Sequence, residues 1–231
     1  QRQMCIRDRL NLKLLGERNF GVSMAVLAIF GIGMLGGTYL LPLYMQKGLG
    51  YTAIMAGSVF LPVGLIQGVL STCSGFLTRY VKPLFIAVTG ILVMTLSFYF
   101  ASRFTLHTTH AQIMLVLYLR GFGMGLTFAP LNDFSLMNLS QCDMASAAGI
   151  SNSIKQLSGS VSIALLTVIL TGRTAFHSAQ GGLSSAESYV AGISDDFLFV
   201  TFVSLASALP FLWLLRPRRK AASFKSEGTG T

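Results

Sequence analysis

Charge is scarce in this sequence: Asp, Glu, Lys and Arg make up 11% of 231 residues, against 52% hydrophobic residues. A soluble domain carries roughly a quarter charged residues. The chain therefore lacks the polar surface of an ordinary soluble fold, and its positive mean hydropathy places it among integral membrane proteins. Cysteine is scarce too. Cys5, Cys73 and Cys142 lie far apart, with no CxxC and no neighbouring His pair, so neither a zinc site nor a disulfide framework is suggested and no metal or cofactor is expected. Acidic residues are missing where they would matter most, since no Asp or Glu falls within any of the apolar runs described next. Gln1 to Arg9 has neither the apolar core nor the small-residue cleavage site of a signal peptide, and it reads as a non-native leader.

What is present is a set of six apolar runs, at 20–45, 52–77, 84–101, 111–131, 144–171 and 197–215. A hydrocarbon core roughly 30 Å thick needs about 20 helical residues at 1.5 Å each. The expected fold class is an all-α membrane protein with six transmembrane helices. Residues 10–19, in which leucines alternate with polar groups, read as an interfacial amphipathic segment. Pro42 and Pro62-Val63-Gly64 fall inside spans, where neighbouring groups satisfy the freed backbone. Pro83 suits the first turn of the third helix. Residues 172–196, rich in Ser and Gly, read as the longest connection, and 216–231 as a basic tail.

A net charge of +9 raises the question of nucleic acid, but the basic residues cluster between apolar runs, as topology signals do. Twelve of the seventeen Lys and Arg lie in the N-terminal segment, the second connection and the C-terminal tail. The opposite connections hold only Lys47, Arg103 and Arg173. The positive-inside rule then puts both termini in the cytoplasm of a multi-pass plasma (inner) membrane protein. No nucleic-acid partner is expected; the lipid bilayer is.

Arg120 is the feature around which the rest is organised. It lies roughly 14 Å into the fourth span by helical rise, where an arginine is costly unless it faces protein, water or a counter-charge. Two readings stand: a cation lining a central cavity together with Met124 and Phe128 at helical spacing, or a structural cation bonded to carbonyls. The fifth span carries a second polar face, Asn152, Lys155, Gln156 and Gly159, which suits helix packing, an interface or a gate. With no acid in the spans, the partners of Arg120 and Lys155 are expected to be substrate or another part of the protein. Gly121-Phe122-Gly123-Met124-Gly125 looks like a nucleotide loop, but such a loop needs a preceding strand. Inside a span, close helix approach explains it better. Gly31-Ile32-Gly33-Met34 in the first span echoes Gly121-Phe122-Gly123-Met124, so each opens a triplet of helices, the trace left by nested three-helix repeats.

An ordered set of motifs carries a family likeness. Leu-x-Leu-x-Leu-Leu-x-x-Arg-Asn-Phe (10–20), Leu-Pro-Leu-Tyr-Met-Gln (41–46), Leu-Gly-Tyr-Thr-Ala-x-x-Ala-Gly (49–57), Leu-Pro-x-Gly (61–64), Arg-Gly-x-Gly-x-Gly (120–125) and Gln-Leu-Ser-Gly-Ser (156–160) resemble the C-terminal half of the major facilitator superfamily. Within it, the likeness is to fourteen-span drug:proton antiporters of the EmrB/QacA type. The resemblance covers about residues 10–220. It implies a transporter, not an enzyme, in which this bundle faces a missing N-terminal half across a cavity for small amphipathic substrates, with protons as the coupling ion. It also implies that the first and fourth helices line that cavity, making Tyr39, Arg120, Gly121, Gly123, Met124 and Phe128 candidate cavity or coupling residues. The second and fifth helices would meet the other half. Gly75, Arg79 and Lys82 resemble a degenerate copy of the family's cytoplasmic loop motif that lacks its acid. The alternatives are a stand-alone six-helix transporter or channel working as a homodimer and, remotely, an intramembrane enzyme. A serine protease of that kind needs a membrane-embedded His, and His107, His110 and His177 all fall in expected connections.

Overall fold

The computed structural model describes residue 16 and residues 18–136, 143–179 and 184–215. The helices are α1 (Arg18–Leu43), continued by a π-helical turn (Tyr44–Gly48), α2 (Ala53–Leu77), α3 (Pro83–Ala101), α4 (His110–Leu136), α5 (Met144–Ala179) and α6 (Ser185–Leu215). All six are long and apolar enough to cross a membrane. The leader expected at 1–9, nearly all of the interfacial segment at 10–19, the tail at 216–231, and Cys5 and Cys142 lie outside the described residues.

Local chemistry sets most boundaries. Thr52 caps α2 by accepting the Met55 amide through its hydroxyl at 3.3 Å. Just before it, Gly50 turns the chain at a φ of +71°, a conformation that a side chain would resist. Pro83 occupies the first turn of α3, as the sequence suggests.

The main difference from the sequence expectation lies at 172–196. Instead of a long connection, α5 runs on to Ala179 and α6 begins at Ser185. Hydropathy fades there because the added turns carry polar groups, but those groups hold the helices. The Ser184 amide donates to Glu187 Oε2 at 2.8 Å, and the Glu187 amide donates to Ser184 Oγ at 3.3 Å. This is a reciprocal capping box. Between the two helices, Arg173 Nε donates to Asp195 Oδ2 at 2.8 Å, and His177 Nε2 lies 2.9 Å from the same oxygen. Asp195 and Asp196 are thus inside a membrane-length helix, which corrects the expectation that the spans hold no acid. His177 likewise lies on α5 and His110 opens α4, so neither falls in a connection.

The two triplets pack crosswise. α1 lies against α5 and α6, α4 lies against α2 and α3, and α3 meets α6. Lipid is as apolar as leucine, so helices associate through small residues and interhelical hydrogen bonds. Each seam has both. The hydroxyls of Ser74, Ser97 and Ser162 donate to the carbonyls of Gly125, Val116 and Ile32 at 2.9, 2.7 and 2.8 Å, joining α2 to α4, α3 to α4 and α5 to α1. The hydroxyls of Thr95 and Ser204 lie 3.0 Å apart between α3 and α6. Aromatic rings fill the rest, with Phe98 stacked on Phe197 and Tyr44 on Phe104.

The glycine echo has a spatial counterpart. A side chain at Gly31 would meet Ser158 of α5, and one at Gly33 would meet Ser204 and Val200 of α6 as well as Phe98 of α3. At the matching places in the second triplet, Gly121 abuts Val63 and Ile66 of α2, and Gly123 abuts Met94 and Gly90 of α3. In each triplet the first glycine admits the second helix of the other triplet and the second glycine admits its third.

Candidate functional site

Arg120 is 3% exposed. Its Nη2 donates to the Met34 carbonyl at 2.9 Å and to the Thr38 hydroxyl, both on α1. The guanidinium thus bridges α4 to α1 in the manner of the structural reading, while the absence of a side chain at Gly37 leaves room for the Phe98 ring of α3, 2.9 Å or less from a Cβ there. Thr38, the second acceptor, carries no sequence signal that would single it out. Gly121 and Gly123, grouped with Arg120 as cavity candidates, instead pack against α2 and α3. Residues two apart on a helix point to different neighbours, so the two glycines do not share one face with each other.

Lys155 and Phe128 are brought together. The Lys155 ammonium lies 4.7 Å from the centre of the Phe128 ring, a cation–π distance that joins α5 to α4. Both are half-buried, as is Met124 one turn before Phe128. Asn152 and Gln156 are exposed, whereas Gly159 is buried against the Leu35 side chain of α1. The fifth helix therefore divides its polar face: Asn152 and Gln156 look outward, Lys155 reaches across to α4, and Gly159 serves packing.

Tyr39 belongs to a different place. Its hydroxyl accepts from Thr167 at 3.3 Å, and with Lys47, Thr171, Thr174 and Tyr189 it lines a cavity of about 410 Å³ between α1, α5 and α6. The Lys47 ammonium lies 5.8 Å from the centre of the Tyr189 ring. A second cavity of about 530 Å³ lies at the same end of the bundle, lined by Arg103, His107, His177, Glu187 and Asp195. Next to Asp195 in the chain, Asp196 is 0% exposed, and neither of its carboxylate oxygens has a hydrogen-bond partner among the described residues. Sequence reading missed Asp195 and Asp196. The Ser184-x-x-Glu187 capping box is the signal that would have started the last helix early enough to include them.

At the opposite end, Gly75 is half-buried, and Arg79 and Lys82 are exposed. The Arg79 guanidinium lies 5.3 Å from the centre of the Phe76 ring. Thr78 donates to the Gly75 carbonyl at 2.7 Å, and its hydroxyl lies 3.5 Å from Asp133 Oδ2 at the end of α4. An acid absent from this loop in sequence thus approaches it in space.

Comparison with known proteins gives one family. The model described as Major Facilitator Superfamily matches residues 6–163. The chain is 32% identical over 161 residues to the uncharacterized MFS-type transporter YhcA of Bacillus subtilis, covering 70% of this chain and 30% of YhcA. It is 24% identical over 243 residues to the fatty acid resistance protein FarB of Neisseria gonorrhoeae, covering 90% and 47%. It is 30% identical over 172 residues to the multidrug export protein EmrB of Haemophilus influenzae, covering 74% and 34%. The chain spans less than half the length of each of these relatives.

Proposed function

Because the chain belongs to the Major Facilitator Superfamily, a family of membrane transporters and not of enzymes, we propose that it forms one six-helix half of a proton-driven exporter of small amphipathic compounds. The half works by rocking against a second, N-terminal bundle. Relatives named for multidrug export and fatty acid resistance support the substrate class.

The observation that carries the proposal is the surface that α2 and α5 leave uncovered. Ile54, Leu61, Leu65 and Val69 on α2, and Leu157 and Val168 on α5, are each at least 65% exposed. Beside them on α2, Gly57, Gly64, Gly68 and Gly75 fall on one face by helical spacing, and a Cβ at any of them would meet nothing within 4 Å. Small residues on an open face let another helix approach closely. α3 and α6 differ: their exposed faces, with Leu92, Phe202 and Leu209, are bulky and apolar and suit lipid.

In this reading both termini are cytoplasmic, and the α3–α4 and α5–α6 connections face outward. Lys155, Phe128 and Met124 line the substrate path, while Arg120 locks α1 to α4. Asn152 and Gln156 meet the other half, and Gly75, Arg79 and Lys82 lie on the cytoplasmic side. The test is to extend the reading frame upstream and assay the complete protein for dye efflux in cells. Efflux abolished by a protonophore supports the proposal. A six-helix chain that transports as a homodimer refutes the two-half arrangement, and labelling of Cys142 by an impermeant thiol reagent on intact cells refutes the orientation.

A further inference from the structure

Asp196 and Arg120 are the two fully buried charged residues among those described. Asp196 lies about 16 Å along α6 from its first residue by helical rise. Ser188 and Gly192, two turns and one turn earlier, share its strip of the helix. The Ser188 side chain is 0% exposed, and among the described residues its hydroxyl has no partner. Across the seam, the Thr174 hydroxyl of α5 also lacks a partner and fills the place that a side chain at Gly192 would take, 2.6 Å from its Cβ. Two unpartnered hydroxyls and an unpartnered carboxyl therefore line one buried seam between α5 and α6.

Asp195 and Tyr189 on α6 itself interact electrostatically with Asp196, and the ionisable groups of the elements packed against it are engaged elsewhere. From α5, Arg173 and His177 both engage Asp195. From α1 and its π-helical turn, Tyr44 donates to the Thr105 carbonyl, Tyr39 meets Thr167, and Lys47 lies over Tyr189. From α3 and the connection after it, Arg103 donates to the Tyr99 hydroxyl, and His107 lines the 530 Å³ cavity with Glu187 of α6. None of them forms a hydrogen bond or ion pair with Asp196. An ionised carboxylate without a donor is expensive to bury. A proton removes that charge and supplies a donor that a neighbouring hydroxyl can accept.

We infer that Asp196 is a proton-binding carboxyl of the transport cycle, loaded from the side of the α5–α6 connection. The inference rests on the transporter reading above and adds to it the acid that carries the coupling ion. The cavity lined by Asp195 reaches the residue next to Asp196 in the chain. Loading forms one O–H bond on Asp196 with a proton from the outer aqueous phase. Release breaks that bond and passes the proton to water on the cytoplasmic side once α6 shifts against α1 and α5 and opens the seam. No electrons change hands. The charge on Asp196 then biases the bundle, because the closed seam described here favours the neutral acid.

The test uses the complete transporter in proteoliposomes, with Asp196→Asn as a near-isosteric variant and Asp195→Asn as the neighbouring control. Infrared difference spectra recorded across a pH titration should contain the carbonyl stretch of a protonated carboxylic acid. That band should be lost in Asp196→Asn and kept in Asp195→Asn. In transport, Asp196→Asn should lose proton-driven uphill efflux yet keep energy-independent exchange of labelled substrate, and Asp196→Glu should restore part of the driven transport. An unchanged titrating band in Asp196→Asn overturns the inference, as does driven efflux with the wild-type pH dependence or a requirement for sodium in place of protons. If the wild-type protein moves no dye at all, the exporter reading has failed, and the infrared band still decides whether Asp196 binds a proton.

Discussion

Arg120 and Asp196 are both ionisable, both buried and both near the middle of membrane helices, yet the chain treats them in opposite ways. Arg120 on α4 is given two acceptors on α1 through its Nη2, a backbone carbonyl and a hydroxyl, while its Nε has none among the described residues. Asp196 on α6 is given none, although Ser188 and Thr174 lie along the same seam. A buried charge that the fold surrounds with partners acts as a fastener. One that the fold leaves bare is held in reserve for something that arrives and leaves. The difference separates a stabilising site from a working one without reference to sequence position.

Four substitutions test this contrast, ordered by expected loss of stability in the purified complete protein. Arg120→Ala removes the α1–α4 tie and leaves a void, and should cost roughly 2–4 kcal/mol, read as a large drop in melting temperature in detergent. It should also abolish gradient-driven efflux, and an unchanged melting temperature would show that Arg120 fastens nothing. Gly123→Ala strikes the same side of the bundle, since the new Cβ would lie 2.8 Å from the Met94 amide nitrogen and 2.9 Å from the Gly90 carbonyl. Backbone cannot move aside as a side chain can, so a loss of about 1–3 kcal/mol is expected. Arg173→Gln opens the pair with Asp195, in which the Arg173 side chain is 49% exposed, and should cost no more than about 1 kcal/mol. Asp196→Asn should not lower the melting temperature at all, because in the closed seam a neutral amide takes the place of a neutral acid of the same shape that has no hydrogen-bond partner to lose among the described residues. A loss comparable to that of Arg120→Ala would erase the contrast.

How far the sequence reaches can be judged from particular residues. The runs at 20–45, 52–77, 84–101 and 111–131 each fall on one helix, because each is uniformly apolar, although α4 continues past the apolar run to Leu136. The repeated Gly-x-Gly-Met was visible as letters, but its meaning was not, since which neighbour a glycine admits depends on helices far away in sequence. Arg120 was recognisable as an anomaly; its acceptors were not, because a backbone carbonyl at Met34 leaves no mark in composition. Residues 172–196 misled for a physical reason: hydropathy averages over all faces of a helix, and here polar residues stabilise the helix ends through a cap and an ion pair while Asp196 points inward.

The sequence by itself determined the membrane class, the six spans and the family, because the length and apolarity of a span are local properties that the bilayer imposes on each segment separately. Tertiary structure decided which charges are satisfied. Pairing α1 with α5 and α6, and α4 with α2 and α3, brought Met34 and Thr38 to Arg120 and brought no donor to Asp196. Hydrogen bonds act over about 3 Å, and only the packed bundle sets which groups come that close.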